Sequence, residues 1–350
     1  MEFSPKRTHH RAAEYAEEAQ GLFSDRLGNG VKPAVNNEPL PLGQFMKIRL
    51  PIFVQVLSII VFLLVSVGAQ QKADPEFNAA VEHPAYPKGG PRVMFDEAHN
   101  NFHTSTGRYK PFADLIMNDG YRVVRNRQTF TKTLLNSFKV LIIANALGAE
   151  EMDDEGAGRS AFTDEECDAV RDWVRGDGAL LLIADHAPFG SAAENLAKRF
   201  GVEMSKGFTY DVENSMSGNP SLIVYSRENK LLLDHPITDG RDASERVNRV
   251  MTFTGQSLKG PADNSVLLKL SDTAKDTPDP DSKATTSAAG RAQGIAFKFG
   301  KGRVVVLGEA AMLSAQVTGA ENSKMGMNVP GTDNKQFAIN IMHWLSGLLR

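Results

Sequence analysis

Along residues 92–350, apolar positions fall in short runs separated by polar or Gly-containing stretches, and the period of each run assigns it an element. Runs at 92–95 and 121–124 predict strands. Those at 139–144 (KVLIIA) and 179–184 (ALLLIA) are almost wholly apolar, as in strands buried on both faces. Helical spacing lies between them. One helix is predicted over 109–118, stopped by Asp119-Gly120. Another opens at Thr163-Asp164-Glu165-Glu166, a capping box with Thr163 as N-cap and Glu166 at N3, and carries Val170, Trp173 and Val174 inward. Ser191 to Glu194 repeats that spacing and predicts a helix ending near Gly201. Strands alternating with helices predict a parallel sheet with helices on both faces.

The middle of the chain reads differently. Between about 204 and 290, the runs at 221–225, 249–254 and 266–270 have no helices between them and predict an antiparallel extension of the same sheet. Residues 271–291 are polar and Pro-containing, and predict an exposed loop. Gly300-Lys301-Gly302 between runs at 294–299 and 303–307 predicts a hairpin. Over 336–349, Phe337, Ile341, Trp344, Leu345 and Leu348 share one helical face. The fold class is α/β: a mostly parallel central sheet with an antiparallel extension, in one domain over 91–350.

Upstream, residues 46–69 stand apart. Lys47 and Arg49 precede an apolar core from Ile52 to Val65, broken only by Gln55 and Ser58, and Val67-Gly68-Ala69 suits a signal-peptidase site. Cleavage after Ala69 predicts export to the periplasm or medium. Residues 50–69 also suffice to span a bilayer, so a retained inner-membrane anchor, with residues 70–350 outside the cytoplasm, is the alternative. Residues 1–45 read as a disordered extension upstream of Met46, which itself reads as a start, and 70–90 as a linker. With 39 Lys+Arg against 42 Asp+Glu, the net charge of −3 lacks the basic excess of a nucleic-acid binder. One cysteine, Cys167, excludes an intramolecular disulfide framework and any multi-Cys metal site.

In an open parallel sheet, ligands bind beyond the carboxyl ends of the strands. After the first strand come Asp96, Glu97, His99, Asn100, Asn101 and His103; after the fourth, Asp185 and His186; after the 303–307 strand, Glu309 and then Gln316. Each has a structural reading, as a turn former, a backbone partner or a helix cap. Together they suit three chemistries: a divalent metal held by His99, His103 or His186, acid–base catalysis by His186 oriented by Asp185 or Glu309, or hydrogen bonding to a sugar. Cys167, flanked by Glu166 and Asp168, reads as structural. The acidic stretch 150–155 reads as a solvated loop and 322–334 as a flexible loop or lid.

Several phrases resemble, in order, an uncharacterised bacterial family of the class I glutamine amidotransferase-like superfamily, related to gliding-motility transport-associated, intraflagellar-transport and trehalose-utilisation-like domains. They are Val93-Met94-Phe95-Asp96-Glu97-Ala98-His99-Asn100, Gly178 to His186, His235-Pro236-Ile237-Thr238-Asp239-Gly240, Gly302 to Met312, and Asn340-x-x-His343-Trp344-Leu345. The resemblance implies a flavodoxin-like three-layer αβα fold. Where catalytic amidotransferases carry a cysteine nucleophile, this chain has Ala184-Asp185-His186-Ala187, so glutaminase chemistry is not implied. The trehalose-utilisation-like branch places a histidine at this elbow, which implies a sugar-related ligand. The leading expectation is an exported domain that binds a small polar ligand, a carbohydrate among the candidates, with Asp96, Glu97, His99, Asn101, His103 and Gln316 lining the site. A hydrolase using His186, and a non-catalytic envelope interaction module, are the alternatives.

Overall fold

The computed structural model describes residues 71–216, 218–319 and 322–350. The extension and the apolar segment 46–69 lie outside the described residues. The central sheet has nine strands: β1 (Arg92–Asp96), β2 (Arg122–Asn126), β3 (Val140–Ala144), β4 (Ala179–Ile183), β5 (Glu203–Met204), β6 (Leu258–Lys259), β7 (Ser265–Lys269), β8 (Ala292–Phe299) and β9 (Gly302–Leu307). Their order is β2-β1-β3-β4-β9-β8-β6-β5, with β7 also paired to β8. β2, β1, β3, β4 and β9 are mutually parallel. β8 turns back on β9 and begins the antiparallel extension. The parallel part has the doubly wound, flavodoxin-like order, whose switch point falls between β1 and β3.

Alternation along each strand builds the two helical layers. Val93, Phe95, Val140, Ile142, Leu181, Ile183, Val305 and Leu307 face α1 (Lys110–Asn118) and the closing helix, Asn334–Ser346. Met94, Leu141, Ile143, Leu180, Leu182, Val304 and Val306 face α2 (Lys132–Leu135), α3 (Asp164–Gly176) and α4 (Phe189–Lys198). The remaining helices are α5 (Pro236–Asp239) and α6, the closing helix. The α3 capping box is complete: Glu166 N donates to Thr163 Oγ1 at 3.2 Å and Thr163 N to Glu166 Oε2 at 3.1 Å. The β8–β9 hairpin pairs Phe299 with Gly302 across Gly300-Lys301. Gly302 is obligatory there, because a Cβ would sit 2.0 Å from the Val174 carbonyl oxygen.

Several local expectations differ from the structure. Of the three runs expected to extend the sheet only that at 266–270 joins it; Val224–Ser226 and Arg249–Met251 pair with each other as a separate two-stranded sheet. α4 begins at Phe189, two residues before Ser191, and has no side-chain cap. The 271–291 segment is not simply a loop: Lys275–Thr277 pairs with Thr286–Ser287 and with Phe208–Tyr210, and buries Asp276 against the Thr209 and Ser257 hydroxyls. Within 322–334, Ser323–Gly326 pairs with Ala315–Thr318. α6 ends at Ser346, followed by left-handed Gly347, which leaves Leu348 39% exposed rather than in the core. The segment expected as a linker is docked: Lys72–Ala73 pairs with Ala315–Thr318, and Tyr86 packs on Tyr121. Among the described residues no helix is long and apolar enough to cross a membrane.

Candidate functional site at the carboxyl edge

Hydrogen bonds tie the strand-end loops into one surface. Phe102 N donates to the Asn145 carbonyl at 2.9 Å and Leu147 N to that of His99 at 3.0 Å, joining the loops after β1 and β3. Asp185 N donates to Asn145 Oδ1 at 3.0 Å, which joins the loop after β3 to that after β4. Tyr109 Oη donates to the Ala310 carbonyl at 2.5 Å and brings in the end of β9. Asn145 has φ +52°, the left-handed region that asparagine tolerates better than most residues.

The residues after β1 are largely occupied in building their own loop. Asp96, fully buried, accepts from His99 Nδ1 at 2.9 Å and Asn101 Nδ2 at 3.1 Å. The other ring nitrogen of His99, Nε2, donates to Glu166 Oε1 at 3.0 Å. Phe130 and Phe162 stand against the imidazole, each with its ring centre 4.7 Å away. Burial pushes the His99 pKa down, but the hydrogen bond and charge of Asp96, then those of Glu166, outweigh it and the net is raised. His99 is therefore a buried imidazolium clamped between two carboxylates, and neither nitrogen is free for a ligand or metal. Glu97 accepts from Ser105 N at 3.0 Å and Oγ at 2.6 Å and pairs with Arg125 at 2.8 Å.

His103 is buried and stacked on Tyr109 with ring centres 4.7 Å apart. Burial, reinforced by the Arg108 charge, pushes it down to about 3, so it is neutral, and its Nδ1 has no hydrogen-bond partner. Gln316 is buried against Ser314 Oγ at 2.8 Å, and its Oε1 is likewise without a partner.

The elbow after β4 is arranged differently. His186 is half-buried and stacked on Phe208, ring centres 4.6 Å apart at 18°. Its Nδ1 lies 2.7 Å from the Ala187 carbonyl oxygen, which can only accept, so Nδ1 carries the proton. In the neutral ring Nε2 is then the lone-pair nitrogen, and it has no hydrogen-bond partner among the described residues. The orienting group is this backbone carbonyl, not Asp185 or Glu309 as the sequence suggests.

Two carboxylates stand at the ends of the adjacent parallel strands β4 and β9. Leu307 and Ile183 are register partners on parallel β9 and β4, so Glu309 and Asp185 each stand two residues past the same rung. Glu309 is fully buried and accepts from Ala311 N at 2.6 Å and Met312 N at 2.8 Å. Asp185, 8% exposed, accepts from His186 N at 2.8 Å. Burial pushes the Glu309 carboxyl well above the usual range and the Asp185 charge adds to it, against the pull of three backbone amides. Burial also raises Asp185, with the His186 charge opposing.

Sequence reasoning misses four residues that shape this edge. Glu166 is recognisable only as a cap. Asn145 and Tyr109 join the loops, and Gln256 braces the elbow by donating from Nε2 to the carbonyls of Ala184 and Asp185, both at 2.9 Å. Apart from the Glu166 cap none carries a local motif; of the other three only Asn145, polar at the end of an apolar run, gives a signal. The backbone fit is close: a Cβ on Gly308 would meet the Gln256 carbonyl oxygen at 2.3 Å. Gly308→Ala should cost about 1–3 kcal/mol of stability as overpacking against rigid backbone. A urea midpoint that falls with unchanged m would show this, and an unmoved midpoint would refute it.

Among the described residues, no three His, Cys, Asp or Glu side chains are placed to share a metal ion. His99, His103 and His186 do not form such a set. Cys167 is buried in α3, its thiol pushed up to about 12 chiefly by burial, and is no nucleophile. Two cavities lie elsewhere. One of about 600 Å³ is lined by His83, Arg241 and Lys335. The other, of about 580 Å³, lies near the amino ends of the strands beside Arg92, Arg122 and Lys139.

No family model matches the chain, and no curated protein does. Its fold is similar to that of the mmIFT52 N-terminal domain, at 13% identity and TM-score 0.51 over 73% of this chain and 97% of that one. A ThuA-like protein from Bacteroides uniformis (14%, TM-score 0.38, 78% and 95%) also aligns. So does a GMP synthase-type protein from Thermoplasma acidophilum (10%, TM-score 0.36, 73% and 94%). At these identities the likeness is one of fold alone.

Proposed function

We propose that this chain is an exported, amidotransferase-like domain that binds a small polar ligand, a carbohydrate as the favoured class, at the carboxyl edge of its sheet. The observation that carries the reading is His186: held as the Nδ1–H tautomer by a backbone carbonyl, it leaves Nε2 unpartnered at a strand end where such folds bind ligands. Asp185 beside it is the second contact. Asp96, Glu97, His99, Asn101 and His103, in the loop after β1, support the rim, and Gln316 is buried in the strand Ala315–Thr318.

Saturation-transfer NMR on a panel of neutral monosaccharides should give a signal with the wild type that His186→Ala abolishes. A signal indifferent to that substitution, or none from any sugar, would leave a non-catalytic interaction module as the better reading. A second reading, a hydrolase with His186 Nε2 as general base, draws on the same tautomer. It requires turnover of a glycoside or ester substrate that His186→Ala eliminates.

Export rests on residues 46–69. Amino-terminal sequencing of the protein recovered from outside the cytoplasm should begin at Gln70. Recovery with the membrane fraction and an intact apolar segment would instead establish the anchored form, which touches the membrane only through residues 50–69.

A further inference from the structure

We infer that the carboxyl-edge site selects ligands that donate hydrogen bonds, favours a protonated amine, and rejects anions; amino sugars are the class it fits best. The inference rests on the ligand-binding reading above and adds the sign of the ligand's charge.

The chemistry follows from which atoms remain. With its Nδ1–H donating to the Ala187 carbonyl, the neutral His186 ring offers a ligand only the Nε2 lone pair. Asp185 offers carboxylate oxygen, acceptor only when ionised. The backbone partners already on the carboxylates are neutral amides: those of His186 and Ala310 on Asp185, and those of Ala311, Met312 and Phe253 on Glu309. Neither forms a salt bridge among the described residues, whereas Glu97, Asp96 and Glu166 each face a cationic side chain. Of the charges that act on this pair, that of Asp185 raises Glu309, and that of His186, when the ring is protonated, lowers Asp185. One amide does remain unmatched: Asn145, buried with Oδ1 on the Asp185 amide, has an Nδ2 that stands near the Asp185 carboxyl without making a hydrogen bond.

A phosphate or carboxylate would meet two acceptors and uncompensated negative charge in a poorly hydrated setting, where like charges repel strongly. A hydroxyl can donate to either acceptor. An ammonium can donate to either and also neutralise an ionised Asp185, which supplies the counter-charge the fold omits.

Three sugars of one shape separate the possibilities: glucose, glucosamine and glucuronate, titrated at pH 7 into wild type, Asp185→Asn and His186→Ala, with affinity followed by NMR shifts. Glucosamine is expected to bind about tenfold more tightly than glucose, the factor that corresponds to about 1.4 kcal/mol, with glucuronate weakest. Asp185→Asn should erase the glucosamine advantage while glucose still binds. Glucuronate binding as well as glucose or better, and lost in His186→Ala, would overturn the charge preference while leaving the binding site standing. Failure of all three, or binding unchanged in His186→Ala, would remove the site itself and this inference with it. Thermal melts of both variants establish that they are folded.

Discussion

His99→Ala is expected to destabilise the domain by about 3–5 kcal/mol, the usual result of removing one partner from a buried ionic cluster. The substitution leaves Asp96 and Glu166 facing each other in an apolar box made by Phe130 and Phe162, with both ring-nitrogen contacts gone. For a domain of this size that is a fall in melting temperature of roughly 10 °C. The pH dependence has a definite sign. The folded pKa of His99 lies above its ordinary value. The stability this group contributes is therefore complete below about 6.5 and is lost as pH rises through the folded value. Glu166 is shifted the other way: burial raises it, but the Thr163 amide, His99 and the Phe130 amide outweigh that. Its contribution is present above about 4.3 and lost as pH falls through its lowered value. The gap between wild type and His99→Ala should accordingly be widest from about pH 4.5 to 6.5 and narrow by pH 9. Melts at pH 6 and pH 9 decide it, and a gap below about 1 kcal/mol, or equal at both pH values, would show that the imidazole is not charged in the folded protein.

That cluster also marks where the sequence stops being readable. The central strands β3 and β4 are visible because each is buried on both faces, so Leu141, Ile143, Leu180 and Leu182 appear within unbroken apolar runs. The switch-point loops are visible as polar residues ending such runs. Which of those residues face a ligand is not visible, because the deciding partners are remote. Glu166 receives His99 from 67 positions along the chain, and it already has a sufficient local explanation as the N3 member of a capping box. The same limit applies to the 271–291 segment. Its strand at Lys275–Thr277 is polar, and it pairs because Thr209 and Ser257 bring hydroxyls to Asp276 from elsewhere. The helix after β4 is predicted too late because Ser191 matches a cap motif that the fold does not use. His186 stands out in the sequence as a strand-end residue, but its tautomer is set by the carbonyl of the next residue, a contact no side-chain pattern announces.

Glu309 is the residue at which stability and the proposed site meet, and two substitutions separate its roles. Glu309→Ala strands the buried amides of Ala311 and Met312 and opens a void at the end of β9, and is expected to cost on the order of 4 kcal/mol. Glu309→Gln keeps the shape and one acceptor oxygen but turns an NH₂ toward one of those donors, and should cost about 1–2 kcal/mol when measured in acid. Both deficits should then narrow in parallel as pH rises. Burial and the Asp185 charge hold the Glu309 carboxyl well above its ordinary value, so its contribution to wild-type stability is full below about 4.3 and declines as pH rises toward the folded value. Glutamine does not titrate. Nor does alanine, so both deficits should shrink by the same amount between pH 4 and pH 8, with Glu309→Ala remaining the less stable of the two by its stranded amides and void at every pH. Urea midpoints at pH 4, 6 and 8 make the comparison. A Gln deficit that stays constant or grows would mean Glu309 ionises normally, held by its backbone amides. In that case Asp185 and Glu309 would both be charged, and the preference for a cationic ligand should weaken when glucosamine and glucose are compared again in the Glu309→Gln background, where one of the two charges is gone.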